Sequence, residues 1–251
     1  MSLVHADRLF PLDPKVKEFA KELYNSISTL PIISPHGHCD TKWFSENKRF
    51  PDPAQLFVVP DHYVFRMLVS QGVAMDKLGV NRVNKSVLEI DPRIIWQKFS
   101  ENYYLFRGTP TAMWLDYSFE KVFGILQPLT AETSELYFNH IEDRLSRPEF
   151  LPRALFDKFN IELLATTDTA LSDLSDHQNI KSCTWNRRII PTYRPDSVVD
   201  PDTIDFKNNL KILGELTGDD TYSWDGYIKA HRSRRLFFKS MGATATDHGH
   251  L

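Results

Sequence analysis

Cysteine is scarce in this chain: Cys39 and Cys183 are the only two among 251 residues. Two thiols cannot build the disulfide framework of a small secreted domain, and their scarcity suits a reducing cytoplasm. No apolar run reaches the ~20 residues that a membrane-crossing helix needs, and no basic-then-apolar segment opens the chain as a signal peptide would. Neither sign of charge dominates. Thirty basic against 33 acidic residues leave a formal net charge of −3 with no long Lys/Arg stripe, so neither nucleic acid nor a membrane is indicated as a partner. Phosphate-cradling glycine patterns are missing as well. Neither G-x-G-x-x-G nor G-x-x-x-x-G-K-[ST] occurs, which argues against a nicotinamide or nucleotide cofactor. Internal repeats and low-complexity tracts are also lacking.

What is present is a chain of globular composition, long enough for one large domain or for a core with an insertion. Strand signals are few and far apart: Leu30 to Pro35, Ile161 to Asp168, Arg188 to Tyr193 and Ala243 to His248. Each ends in polar residues. Between the third and fourth, Asp202 can cap a helix carrying Phe206, Leu210, Leu213 and Leu216, with Gly214 and Gly218 near its end. A second helix is expected from Ser223 to Ser240, closed by Gly242. Strand, helices, strand at this spacing is the βαβ pattern of a parallel sheet.

The stretch from Trp43 to Pro152 breaks the pattern. Phe65, Leu68, Val69 and Gly72 fit one helical face and its end, and Ile94, Ile95, Lys98, Phe99 and Tyr103 fit another. So long a segment is not a structureless connection, and it reads as a helical insertion after the first strand. Its dense aromatics, Trp96, Tyr103, Tyr104, Phe106, Trp114, Tyr117, Phe119 and Phe123, are expected mostly in a core.

The pattern richest in chemistry is His36-Gly37-His38, which begins where the apolar run Leu30 to Ser34 ends. Side chains alternate with period two in extended backbone, so both imidazoles can face one side and share one metal. By spacing alone a polar turn accounts for the pair equally well. Its place at a strand end, where α/β proteins put their chemistry, favours the metal. Cys39 would then face away and act as a small packing residue.

Several motifs recur in a fixed order: His36-Gly37-His38, Asp61-His62-Tyr63, Thr166-Thr167-Asp168, Tyr193-Arg194-Pro195-Asp196 and Asp247-His248-Gly249. In this the chain resembles the uronate (glucuronate) isomerases of the amidohydrolase superfamily, over nearly its whole length. His-X-His alone is a superfamily trait; its combination with Asp-His-Tyr and Arg-Pro-Asp marks the isomerases. The resemblance implies an α/β fold, a (β/α)8 TIM-like barrel of amidohydrolase type with a helical insertion after the first strand. Residues 1–42 would form the N-terminal segment and first barrel strand, 43–152 the insertion, and 153–251 further βα units. Family members are longer, and their last strands carry a metal-binding aspartate and an arginine. This chain is therefore expected to hold the N-terminal part of the barrel only.

The implied activity is aldose–ketose isomerisation of D-glucuronate to D-fructuronate, and of D-galacturonate to D-tagaturonate. Such a reaction needs a cation against oxyanion charge, a base near C2 and a cationic fork for the sugar carboxylate. The resemblance assigns the metal, one divalent ion of Zn²⁺ type, to His36 and His38, with His248 as a further ligand or acid–base group. It assigns proton transfer to Tyr63, with His62 orienting it or touching a sugar hydroxyl, and substrate binding to Arg194. Without the resemblance, Tyr63 would be an ordinary half-buried tyrosine and Arg194 a turn arginine pairing with Asp196. Asp61 and Asp168 suit helix caps. No lysine or glutamate ends the Thr166-Thr167-Asp168 strand to bridge two metals. His140, His177 and His231 are taken as surface or packing residues, and homo-oligomerisation is left open. The competing readings are a metal-dependent hydrolase of the same superfamily and a non-catalytic interaction module.

Overall fold

The computed structural model describes residues 2–80, 90–185 and 187–249. The chain divides into two compact units, Met1–Thr29 with Arg49–Leu151 and Leu30–Lys48 with Pro152–Leu251.

The first unit is helical, with no strand among its described residues. One local device starts four of its helices, a short polar residue followed by proline: Asp13-Pro14, Asp52-Pro53, Asp91-Pro92 and Thr109-Pro110. The polar side chain accepts a backbone N–H of the first turn, from Val16, Gln55, Arg93 and Ala112 respectively. Proline fits the first helical position because the N–H it lacks there has no partner anyway. Asp61 caps the helix His62–Ser70 in the same way, accepting from the Tyr63 N–H at 2.8 Å, as its sequence position suggests. Trp96, Phe99, Phe106, Phe119 and Phe123 are buried as expected, whereas Tyr104, Trp114 and Tyr117 are exposed. The Trp96 indole donates to the Ser134 carbonyl at 3.1 Å, so its one polar atom is satisfied in the core.

The second unit carries a parallel sheet, in the order β1 (Ile32–Ser34), β2 (Ile161–Thr169), β3 (Arg188–Arg194). The β2–β3 register runs from Leu163 opposite Arg188 to Thr169 opposite Arg194. Three of the four expected strands form. The fourth is reduced to one parallel bridge between Thr246 and Tyr193. Its backbone meets β3 only around Tyr193, and Thr244, Ala245 and Thr246 stay exposed. β1 also departs from expectation: Ile32 and Ile33 are exposed rather than buried. Strand side chains stand out from the two faces of a sheet, so an apolar run is buried only where other elements cover those faces, and at Ile32 and Ile33 they do not.

Two apolar clusters hold this sheet. Phe44, Phe156, Leu164, Ile180 and Ile189 form one, with Cys39 packed against it as expected; burial there pushes the Cys39 thiol up. The other joins Ala170, Leu174, Tyr193 and Val198 to Leu213, Ala230 and Phe238 on the helices Phe206–Thr217 and Trp224–Ser240. Asp202 does not cap the first of these helices: the chain turns there, with the Asp202 N–H donated to Asp200 at 3.0 Å, and the helix begins only at Phe206. Ser223 does cap the second, accepting from the Gly226 N–H at 3.2 Å. A Cβ on Gly226 would stand 2.0 Å from the Asp220 carbonyl oxygen, so this entry into the helix requires glycine. The buried Arg234 of that helix donates to the carbonyls of Ala170 at 2.8 Å and Ser172 at 2.5 Å, tying the helix to the turn after β2. No helix among the described residues is long and apolar enough to cross a membrane.

Candidate active site at the strand ends

The carboxyl ends of the three parallel strands bring together residues far apart in sequence. β1 stops at Ser34, so His36 and His38 lie just beyond the strand, yet their Nε2 atoms converge to 3.0 Å. Each ring has a partner on its other nitrogen. His36 Nδ1 lies 3.2 Å from Asp247 Oδ2, and His38 Nδ1 lies 3.3 Å from the Thr167 hydroxyl. Thr167 gives its hydroxyl proton to the Gly37 carbonyl at 2.7 Å, so towards His38 its oxygen can only accept. A carboxylate likewise only accepts. The Thr167 hydroxyl assigns His38 as the Nδ1–H tautomer, and the acceptor-only carboxylate 3.2 Å from His36 Nδ1 favours a proton on that nitrogen too, so that two Nε2 lone pairs face each other. Lone pairs at that distance repel unless a proton or a cation lies between them. Metal–nitrogen bonds of ~2.0–2.1 Å can span this separation, so the donor pair fits a divalent ion of imidazole preference.

The pair supplies two donors and no more: among the described residues no group of three or more His, Cys, Asp or Glu side chains is arranged to hold a metal. His248 is exposed, with its Nδ1 3.0 Å from the Gly249 carbonyl. His250, in the second His-X-His, lies outside the described residues.

Arg194 is the last residue of β3. Its Nε donates to Asp196, the local pairing that the turn sequence suggested, and its Nη1 lies 3.6 Å from Asp247 Oδ2. The hydrogen bond to Asp196 holds the guanidinium above its ordinary range. Burial works against the Asp196 carboxylate, but Arg194 and the Gly249 N–H outweigh it and keep Asp196 below the usual carboxylate range. Asp247 Oδ2 has no solvent contact and no well-formed hydrogen bond; His36 and Arg194 flank it electrostatically.

Beside His38 opens a polar cavity of about 320 Å³, lined among others by Thr167, Asp168, Asp173, Asp176 and His177. Asp168 does not cap a helix. It is the penultimate residue of β2 and belongs to a buried network in which the Thr166 hydroxyl donates to Asp168 at 2.7 Å and lies 2.9 Å from His177 Nε2. Burial raises Asp168 and lowers His177 from their ordinary values. His177 is therefore an engaged interior residue. His231 is also drawn inward, with Nδ1 2.8 Å from the Tyr193 hydroxyl.

Tyr63 and His62 belong to the helical unit. They open the helix His62–Ser70, are exposed, and have ring centroids 4.2 Å apart, with the Trp114 ring edge-on to Tyr63.

Sequence reasoning gave no role to Asp247, although it quoted the residue within a motif. The available signal was its place near the polar end of the strand signal Ala243 to His248. The His177–Thr166–Asp168 network had no signal, because a helix and a strand supply its members.

A parallel α/β sheet with a histidine pair, carboxylates and an arginine at its strand ends defines an α/β protein of the kind that gathers its chemistry at carboxyl strand termini. Within that class the match is particular. The family model described as glucuronate isomerase matches residues 8–251, and the chain belongs to this family. It is 51% identical over 248 residues to the uronate isomerase of Rhizobium meliloti (strain 1021), covering 99% of this chain and 53% of that protein. The crystal structure of glucuronate isomerase from Caulobacter crescentus superposes with a TM-score of 0.93 at 46% identity, over 98% of this chain and 51% of the other. Uronate isomerase from Thermotoga maritima gives a TM-score of 0.85 at 28% identity, over 97% and 51%. The chain spans about half the length of the curated relatives it matches.

Proposed function

We propose that the protein to which this chain belongs is a uronate isomerase, interconverting D-glucuronate and D-fructuronate, and D-galacturonate and D-tagaturonate. The convergence of His36 Nε2 and His38 Nε2 to 3.0 Å, beside an arginine whose plane a carboxylate holds, is the observation that carries the reading. Family membership supports it. Residues 1–42 would supply the first strand of a (β/α)8 barrel, 43–152 a helical insertion, and 153–251 the following βα units, with the additional length of the relatives completing the barrel. Two cysteines with no disulfide between them suit a cytoplasmic enzyme, and self-association is compatible with the reading.

His36 and His38 would hold one divalent ion, Zn²⁺ by donor type, which when bound neutralises the oxygen charge that develops as the C2 proton leaves. The other roles fall to side chains. Arg194, its Nε occupied by Asp196, has terminal N–H groups left to grip the sugar carboxylate in a two-point contact. Tyr63 moves the proton between C2 and C1, and His62 orients it or binds a sugar hydroxyl; both roles rest on the Asp61-His62-Tyr63 motif. His248 enters as a third metal donor or acid–base group through the Asp247-His248-Gly249 motif alone.

The full-length protein, incubated with D-glucuronate and Zn²⁺ without nicotinamide or nucleotide, is expected to form the ketose. Hydrolysis of esters or amides with uronates untouched would make it instead a hydrolase of the same superfamily.

A further inference from the structure

Asp247 stands between the two halves of the strand-end site. Its Oδ2 is 3.2 Å from His36 Nδ1 and 3.6 Å from Arg194 Nη1, and the same oxygen is shut off from solvent. Its backbone is pinned next to β3, because the Asp247 N–H donates to the Tyr193 carbonyl at 3.0 Å. Arg194 is held from its other edge by Asp196, whose carboxylate in turn accepts the Gly249 N–H at 3.0 Å. The result is a continuous chain from His38 through His36, Asp247 and Arg194 to Asp196.

The two histidines are supported unequally. His38 Nδ1 faces a neutral hydroxyl at 3.3 Å, whereas His36 Nδ1 faces a carboxylate oxygen at 3.2 Å. A carboxylate on the distal nitrogen fixes the tautomer and ring orientation of an imidazole and makes the other nitrogen a stronger electron-pair donor. Shared with a guanidinium, the same carboxylate also sets the distance between the imidazole and the cationic fork.

We propose that Asp247 is the positioning residue of the site: it orients His36 as a metal donor through Nε2 and locks that donor to Arg194. The proposal rests on the metal-binding reading of His36 and His38 given above. It assigns Asp247 no contact with the substrate. It also explains why a carboxylate oxygen is tolerated out of water without a well-formed hydrogen bond, since two cationic or donor groups flank it.

Metal affinity of the full-length protein, measured by chelator competition with Zn²⁺ at fixed pH, tests it. Asp247→Asn is expected to weaken affinity by roughly 10- to 100-fold, while the thermal midpoint of the metal-free protein stays near wild type. Affinity within twofold of wild type overturns the proposal. A second measurement needs no substitution: in ¹⁵N-histidine-labelled, Zn²⁺-loaded protein, with the His36 resonances assigned by loss in His36→Ala, His36 is expected to bind through Nε2 with Nδ1 protonated. Coordination through Nδ1 overturns the proposal even if the Asn variant does not fold. His36→Ala separates this idea from the reading beneath it. If that variant keeps its metal, the metal-binding reading fails and the proposal with it. If it loses the metal while Asp247→Asn does not, only the role of Asp247 fails.

Discussion

The Thr167 hydroxyl on β2 donates to the Gly37 carbonyl at 2.7 Å and thereby anchors the turn that sits between the two histidines. The same oxygen is the acceptor nearest His38 Nδ1, at 3.3 Å. One side chain thus fixes both the backbone and one imidazole of the pair.

Thr167→Val keeps the shape and removes both bonds. Unfolding free energy is expected to fall by ~0.5–1.5 kcal/mol for each hydrogen bond lost, and Zn²⁺ affinity should fall with it because His38 loses the acceptor that orients it. Denaturant titration and chelator competition read the two effects. If neither changes, the hydroxyl does not organise the pair.

His177 should leave a mark on the pH dependence of stability. Burial lowers its pKa in the folded protein, and the Asp168 carboxylate only partly opposes this. Between the ordinary histidine value of ~6.5 and the lowered folded value, the unfolded chain binds more protons than the folded one. Stability is therefore fully present above ~6.5 and is lost as pH falls through that window. Asp168, raised by burial, acts with the opposite slope in a more acidic range, above the ordinary carboxylate value. His177→Gln, which can still donate to Thr166, is expected to flatten the loss of stability that sets in as pH falls below ~6.5. A slope equal to that of wild type would count against this account.

Chemistry and binding separate in two further variants of the full-length protein. Tyr63→Phe should mainly lower kcat, by ~10²- to 10⁴-fold if it removes a proton-transfer group. Arg194→Met should raise KM, and lower kcat as well if its grip tightens on the enediolate. Solvent-deuterium wash-in at C2 checks the route independently, since a direct hydride shift allows none. Wild-type turnover in the Phe variant, with fold and metal content intact, would remove Tyr63 from the mechanism.

The three strands that form were legible because each is a short apolar or β-branched run ending in polar residues, and their order made the sheet parallel. The cap at Asp61 and the helix Trp224–Ser240, with Ser223 before it, were also legible, since capping depends on residues within three positions of one another. Asp202 shows the limit of that local logic: a capping side chain there competes with a turn stabilised by Asp200, and the turn prevails. The His-X-His pair could be read as a metal candidate from period-two spacing, although the histidines lie beyond the strand that suggested it.

Other features were not in the local pattern at all. The exposure of Ile32 and Ile33 follows from what covers the faces of β1, a property of the tertiary packing and not of the strand. The tautomers of His36 and His38, the shared carboxylate of Asp247 and the His177–Thr166–Asp168 network depend on which atoms stand within ~3 Å after folding. By itself the sequence determined the residue types, the strand order and the local caps, because these follow from spacing along one chain. Only the tertiary structure decided which nitrogen faces its partner and which carboxylate lies behind it, because hydrogen bonds between residues more than a hundred positions apart exist only once separate strands are brought side by side.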